Sequence, residues 1–274
     1  MPSLPVIETD QVRHAGTAPD GGAFDAPALD AHEAARAAFC EGLGDDALVL
    51  GQRLSEWCGH APALEVDLSL ANFALDLIGQ ATHFLGQAGD ADRLAFHRDV
   101  LDYKNCLLVE QPNGDFARTM ARQWLFSTWQ HLLYRELSTS SDAAIAGIAA
   151  KGLKEVSYHR ELAQDWVVRL GDGTDESKRR MAEGLDWCWR FVPELFEVDD
   201  LLAGLIERGI AADPRLFEGE YRSALAQGLA EAGLAAPADT RPILGGRRGH
   251  HGEHLGHLLA VMQHIPRTYP QATW

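Results

Sequence analysis

The chain has 274 residues and a formal net charge of −16, from 24 Lys and Arg against 40 Asp and Glu. Nucleic acid and anionic lipid both demand clustered cations that displace counterions, so this balance excludes them as principal partners. Four scattered cysteines, Cys40, Cys58, Cys106 and Cys188, form no C-x-x-C pair; they fit neither a disulfide framework nor a zinc knuckle and point to reduced thiols in a cytoplasm.

In chain order, MPSLPVIETD carries acid early and has neither a basic nor an apolar leader region, and no later stretch reaches 18 uninterrupted apolar residues. A soluble, cytoplasmic protein is expected. Residues 1–33 are rich in Pro, Gly, Ala and Asp without a sustained period and read as a flexible extension. Residues 34–274 read as one all-α domain, because long Ala, Leu, Glu and Arg stretches are broken only by short Gly, Pro or Asn punctuation. Segments 35–58, 64–87, 115–139 and 142–170 have the length of bundle helices, with a 93–108 helix joining the middle two. Further helices are expected near 175–197, 199–208, 214–232 and 249–265, the first kinked or broken at Pro193.

Three bundle segments draw stripes at helical spacing. On the second, Leu70, Phe73, Leu77, Gln80 and Phe84 share one line; on the third, Met120, Trp124, Ser127, His131 and Tyr134 do. The fourth carries Ile145, Ala149, Gly152, Val156, His159, Ala163, Trp166 and Leu170, with Ser140 or Ser141 to cap its start and Gly171 to close its end in a left-handed residue. Gln80, Ser127 and His159 are thus candidates to share one polar level inside the bundle.

A polar level in a four-helix bundle raises the question of a di-metal centre. Such a centre takes a carboxylate from each of two helices and a Glu-x-x-His pair from each of the other two, since two hard cations need anionic oxygens. Here Val156 stands three before His159 and Leu77 three before Gln80, and neither side chain has a lone pair; Ser127 offers only a hydroxyl. A core histidine satisfied by a Ser, a Gln or a backbone carbonyl, and a small hydrogen-bond network around Gln80 and Ser127, are the expected outcome. A rival register pairs Glu155 with His159 and Asp76 with Gln80, leaving too few strong ligands.

Near the C-terminus, RGHHGEHLGH places His250, Glu253, His254 and His257 at helical spacings without an H-E-x-x-H arrangement. A polar helix start, with Glu253 near the positive dipole end, is favoured over zinc. Just before it, PILGGRRG sets Arg247 and Arg248 on what reads as a flexible, solvated glycine loop. Arg247, Arg248, Glu253 and His254 are candidate contacts to a phosphate-bearing ligand or a partner.

The stretches QRLSEWCGHAPALEVDLSLAN (52–72), LDLIGQATHFL (75–85), LLVEQPNGDFARTMARQW (107–124), LKEVSYHRELAQDWVVRLGDGTD (153–175) and GEHLG (252–256) resemble the C-subunit family of the bacterial 1,2-phenylacetyl-CoA epoxidase. The resemblance runs from about residue 36 to Trp274. It implies a ferritin-like four-helix bundle with additional C-terminal helices. It also implies a non-catalytic role in aerobic phenylacetate degradation, beside a catalytic A subunit that holds the di-iron centre, with B and reductase subunits in the assembly and no cofactor in this chain. The A-subunit ligand pattern, laid on this sequence, falls on Leu77, Gln80, Ser127, Val156 and His159, and less surely on Ala47, where neighbouring Asp45 or Asp46 would absorb a slip of register. Of these positions only His159 keeps a ligand side chain.

Overall fold

The computed structural model describes residues 30–238 and 241–272. Among them the secondary structure is helical, with short 3-10 turns and no strand. Helix α1 runs Ala31–Ser55, α2 Leu64–Leu85, α3 Ala91–Phe96, α4 Leu107–Glu110, α5 Phe116–Leu137 and α6 Ala143–Gly171. There follow α7 Asp175–Trp189, α8 Asp200–Glu207, α9 Glu218–Glu231, α10 Glu253–Met262 and α11 His264–Thr268. Hairpins α1–α2 and α5–α6 pack together, α2 against α6, and α7 and α9 cover the outer side of α5. This is the ferritin-like arrangement, in which two hairpins are joined by one long crossover, here residues 86–115.

Local chemistry fixes the helix starts. Asp30, Asp115 and Asp142 each accept backbone N–H groups at the heads of α1, α5 and α6, and Thr174 with Ser177 forms a capping box at α7. Asp142, and not Ser140 or Ser141, caps α6. The two serine hydroxyls instead donate to the carbonyls of Ile210 (2.7 Å) and Arg208 (3.0 Å), tying the hairpin turn to the chain after α8. Gly171 is the last residue of α6 and is not left-handed; a Cβ there would lie 2.5 Å from the Ala232 carbonyl oxygen, so glycine serves close approach.

Other boundaries shift for equally local reasons. Residues 31–33, expected in the extension, form the first turn of α1 beneath the Asp30 cap, and residues 1–29 lie outside the described residues. The 93–108 helix is replaced by α3, a 3-10 turn at Val100–Asp102 and α4. Pro193 does break the helix after α7, sitting at the start of the 3-10 turn Val192–Phe196. The α6 stripe is buried from Ile145 to Ala163, but its lower end rotates onto Val167 and Gly171. Trp166 sits at the margin, edge-on to Phe116. Helix α5, enclosed by α6, α7 and α9, buries Arg122, Gln123, Thr128 and Gln130 as well as its apolar residues. Among the described residues no helix is long and apolar enough to cross a membrane.

Candidate functional site

The polar level of the bundle lies where α2, α5 and α6 meet. Leu77 and Val156 are fully buried, and each such side chain contributes about 1.5–3 kcal/mol of hydrophobic stabilisation. Gln80 is the hub: its Oε1 accepts from Gln130 Nε2 (3.0 Å) and the Tyr134 hydroxyl (3.1 Å), and its Nε2 donates to Glu155 Oε2 (2.9 Å). Tyr134 reaches this position because Gly152 of α6 leaves room; a Cβ there would lie 2.8 Å from the tyrosine ring.

The structure separates the three residues that the sequence places on one level. Ser127 is buried, but its hydroxyl makes only a 3.5 Å contact with the Trp124 carbonyl and takes no part in the Gln80 network. His159 meets a carboxylate on one side only, with Nε2 donating to Asp76 Oδ2 at 3.0 Å, while its ring lies 4.0 Å from that of Phe73. Among the described residues its Nδ1 has no partner. His131, also on the stripe, is half-buried and meets Ser157; burial, then Arg160 and Arg135, bring its pKa down to about 4.

The rival register pairs residues along one helix, but the bonds run between helices: Asp76 with His159 and Gln80 with Glu155. Each carboxylate is thereby engaged by a protein donor. Leu77, Val156 and Ala47 bring no donor atom, so the residues present do not fit a di-metal cage. Among the described residues no group of three or more His, Cys, Asp or Glu is placed to hold a metal ion. Nor do Asp45 and Asp46 supply a slipped ligand, because both are engaged elsewhere.

Their partners belong to a second buried polar region, which sequence reasoning missed. Asp45 pairs with Arg98 and accepts from the Lys104 N–H (2.8 Å), and burial nevertheless pushes its pKa up to about 6. Asp46 accepts from the Cys106 N–H (2.7 Å) and from Arg247 Nη2 (2.6 Å). Arg247 Nη1 also donates to the carbonyls of Gly42 and Lys104, at 2.9 and 3.0 Å. Arg247 is therefore a structural bolt, not a free contact in a solvated loop.

The glycines around Arg247 serve geometry, not flexibility. Gly245 and Gly249 hold φ of 128° and 78°, and a Cβ on Gly246 would lie 2.3 Å from the Asn105 carbonyl oxygen. The N–H groups of Gly245 and Gly246 donate to Glu194 Oε1 at 2.8 and 2.6 Å, and Leu107 N–H donates to Glu194 Oε2 at 2.6 Å. Glu110 does the same one step on: its oxygens accept from Gly252 N–H (2.7 Å), Asn105 Nδ2 (3.0 Å) and His251 Nδ1 (2.8 Å).

Helical spacing singles out the neighbours of His251, yet His251 is the histidine that the fold uses. Nδ1 faces the Glu110 carboxylate and Nε2 the Tyr103 carbonyl (2.8 Å), so both ring nitrogens meet acceptors and the ring donates twice as imidazolium. Burial alone would lower its pKa, but the Glu110 hydrogen bond, the Tyr103 carbonyl and the charges of Glu110 and Glu194 raise it above the ordinary value. Of the residues singled out in the sequence, Glu253 opens α10 as expected, while His254 offers Arg53 its carbonyl (2.9 Å). His250 and His257 are exposed. Arg248 is half exposed and faces Glu197 at 3.6 Å.

The phenylacetic acid catabolic protein family matches residues 25–274. The chain is 47% identical over 238 residues to the C subunit of the 1,2-phenylacetyl-CoA epoxidase of Escherichia coli strain K12, an alignment covering 85% of this chain and 96% of that protein.

Proposed function

The chain belongs to the phenylacetic acid catabolic protein family, and from that premise we propose that it is a non-catalytic, metal-free structural subunit of a phenylacetyl-CoA epoxidase. It pairs with the di-iron catalytic A subunit, and B and reductase subunits complete the assembly. The observation that carries this reading is the filling of the polar level: Leu77 and Val156 are apolar, Ser127 stands apart, and Gln80 is engaged by Gln130, Tyr134 and Glu155. A metal cage emptied of its ion leaves like charges buried together, at a cost of several kcal/mol per ion. Apolar and amide residues in those places let the chain fold without metal and hold its partner's helices in position.

The test is co-expression with the A, B and reductase subunits, scored by phenylacetyl-CoA consumption and by metal content of each purified chain. The expected result is that omitting this chain destabilises the A subunit and abolishes turnover, while this chain alone carries no stoichiometric metal. Near-stoichiometric iron in the isolated chain, lost on His159→Ala, overturns the proposal.

A further inference from the structure

Helix α5 carries a line of polar side chains along the bundle axis. Gln123, Ser127, Gln130 and Tyr134 follow one another at steps of four, three and four, so all project from one side of the helix. Gln130 and Tyr134 show which side it is, because both reach Gln80 of α2 across the interior. Gln123 points into the same interior about two turns away, and it is fully buried. Its amide is left over: among the described residues neither Nε2 nor Oε1 has a hydrogen-bond partner. Two further buried atoms share that condition, His159 Nδ1 and Gln130 Oε1.

The packing gathers these atoms into one region. Helices α5 and α6 form an antiparallel hairpin whose register is set by Gly152 against the Tyr134 ring and by Ser157 Oγ, 3.2 Å from His131 Nδ1. Continued along both helices, that register sets His159 beside the turn of Ser127, and Ala163 beside Gln123. On α2, Asp76, the partner of His159, stands one turn from Gln80, the partner of Glu155. His159 is therefore placed between the levels of Gln130 and Gln123. Ser127 and Ala163, the neighbours of these groups on α5 and α6, are both small and fully buried.

The chemistry of the four atoms selects what binds them. Gln123 Nε2 donates; Gln123 Oε1 and Gln130 Oε1 accept, and His159 Nδ1 accepts because Nε2 holds the proton given to Asp76. A hard cation finds no anionic oxygen among them. An apolar molecule would leave all of them unpaired, at the full cost of their desolvation. Water both donates and accepts, and buried water characteristically satisfies polar groups that the chain itself leaves over.

We propose that the bundle axis binds ordered water, held by the Gln123 amide and His159 Nδ1 and reaching Gln130 Oε1. The inference does not depend on the subunit role: it names what the interior of this chain takes up.

The test is a crystal structure of the full-length chain at a resolution that shows ordered solvent, joined to oxygen-17 magnetic relaxation dispersion, which counts long-lived internal waters in solution. Solvent oxygens are expected within about 3.2 Å of the Gln123 amide and of His159 Nδ1. Gln123→Met, similar in shape but without the amide, is expected to lose at least one long-lived water per chain. Where that variant does not fold, His159→Phe, which keeps a ring against Phe73, gives the same reading. Protein partners for the Gln123 amide, a dry interior, or an unchanged water count in the folded variant overturns the water site and leaves the proposed function standing. An anomalous-scattering peak bonded to His159 would identify a metal ion and overturn both.

Discussion

The polar level of the bundle and the seam between α1 and the 245–252 loop both bury hydrogen-bonding side chains, yet they treat charge in opposite ways. In the bundle, the positions that the family resemblance assigns to di-metal ligands hold Leu77, Gln80, Ser127 and Val156 beside His159, and the carboxylates nearby, Asp76 and Glu155, stand at the margin. In the seam, Asp45, Asp46, Glu110 and Glu194 stay buried, each with a cation or several N–H donors of the protein itself. Charge is buried where the chain itself supplies the counter-charge, and the bundle level, which has no such cation, is filled by Leu77, Val156 and the neutral Gln80.

The largest test of this contrast is Glu110→Ala. It strands a buried imidazolium and two donors, so urea unfolding should show a loss of about 3–5 kcal/mol; a loss below about 1 kcal/mol would mean that the seam is not what fastens the C-terminal segment. In the bundle, Gln80→Leu removes a neutral hub and leaves Gln130, Tyr134 and Glu155 short of a partner. A loss of about 1–3 kcal/mol is expected, smaller than at the seam, and the reverse order would break the comparison.

A finer effect comes from pH. The folded-state pKa of His251 is raised above its ordinary 6.5. Its stabilisation is therefore fully present below pH 6.5 and is lost as pH rises through the folded value. Wild type should lose urea resistance over that range and His251→Gln should not; parallel curves for the two proteins would count against the imidazolium. Smallest of all, Ser127→Ala removes only a 3.5 Å contact and should shift stability by no more than about 0.5 kcal/mol in thermal melts. A larger loss would reveal a role for the hydroxyl that its geometry does not show.

What could be read in advance follows from where each residue's partners lie. Helices α2 and α6 are buried on one side, so their 3.6-residue period exposes Leu77, Gln80, Val156 and His159 as inward positions. Helix α5 is enclosed, which is why a stripe drawn on it takes in half-buried His131 and passes over buried Gln130. The seam has no local signature, because Asp46 meets Arg247 across 201 residues and Glu110 meets His251 across 141. One cue is present: Glu110 ends the apolar run CLLVE, and a carboxylate in such a run needs a partner. The repeated His254 and His257 spacing masks His251, the ring that supplies it.

Those long separations also impose an order of events. The chain is made from its N-terminus, so α1 to α6 emerge before residues 245–252 exist. Until then Asp46, Glu110 and Glu194 have no Arg247, no His251 and no glycine N–H groups to meet, and their carboxylates must remain hydrated. The region around α4 can therefore dry only after residues 245–252 have been made, and docking of that loop is the step that closes it.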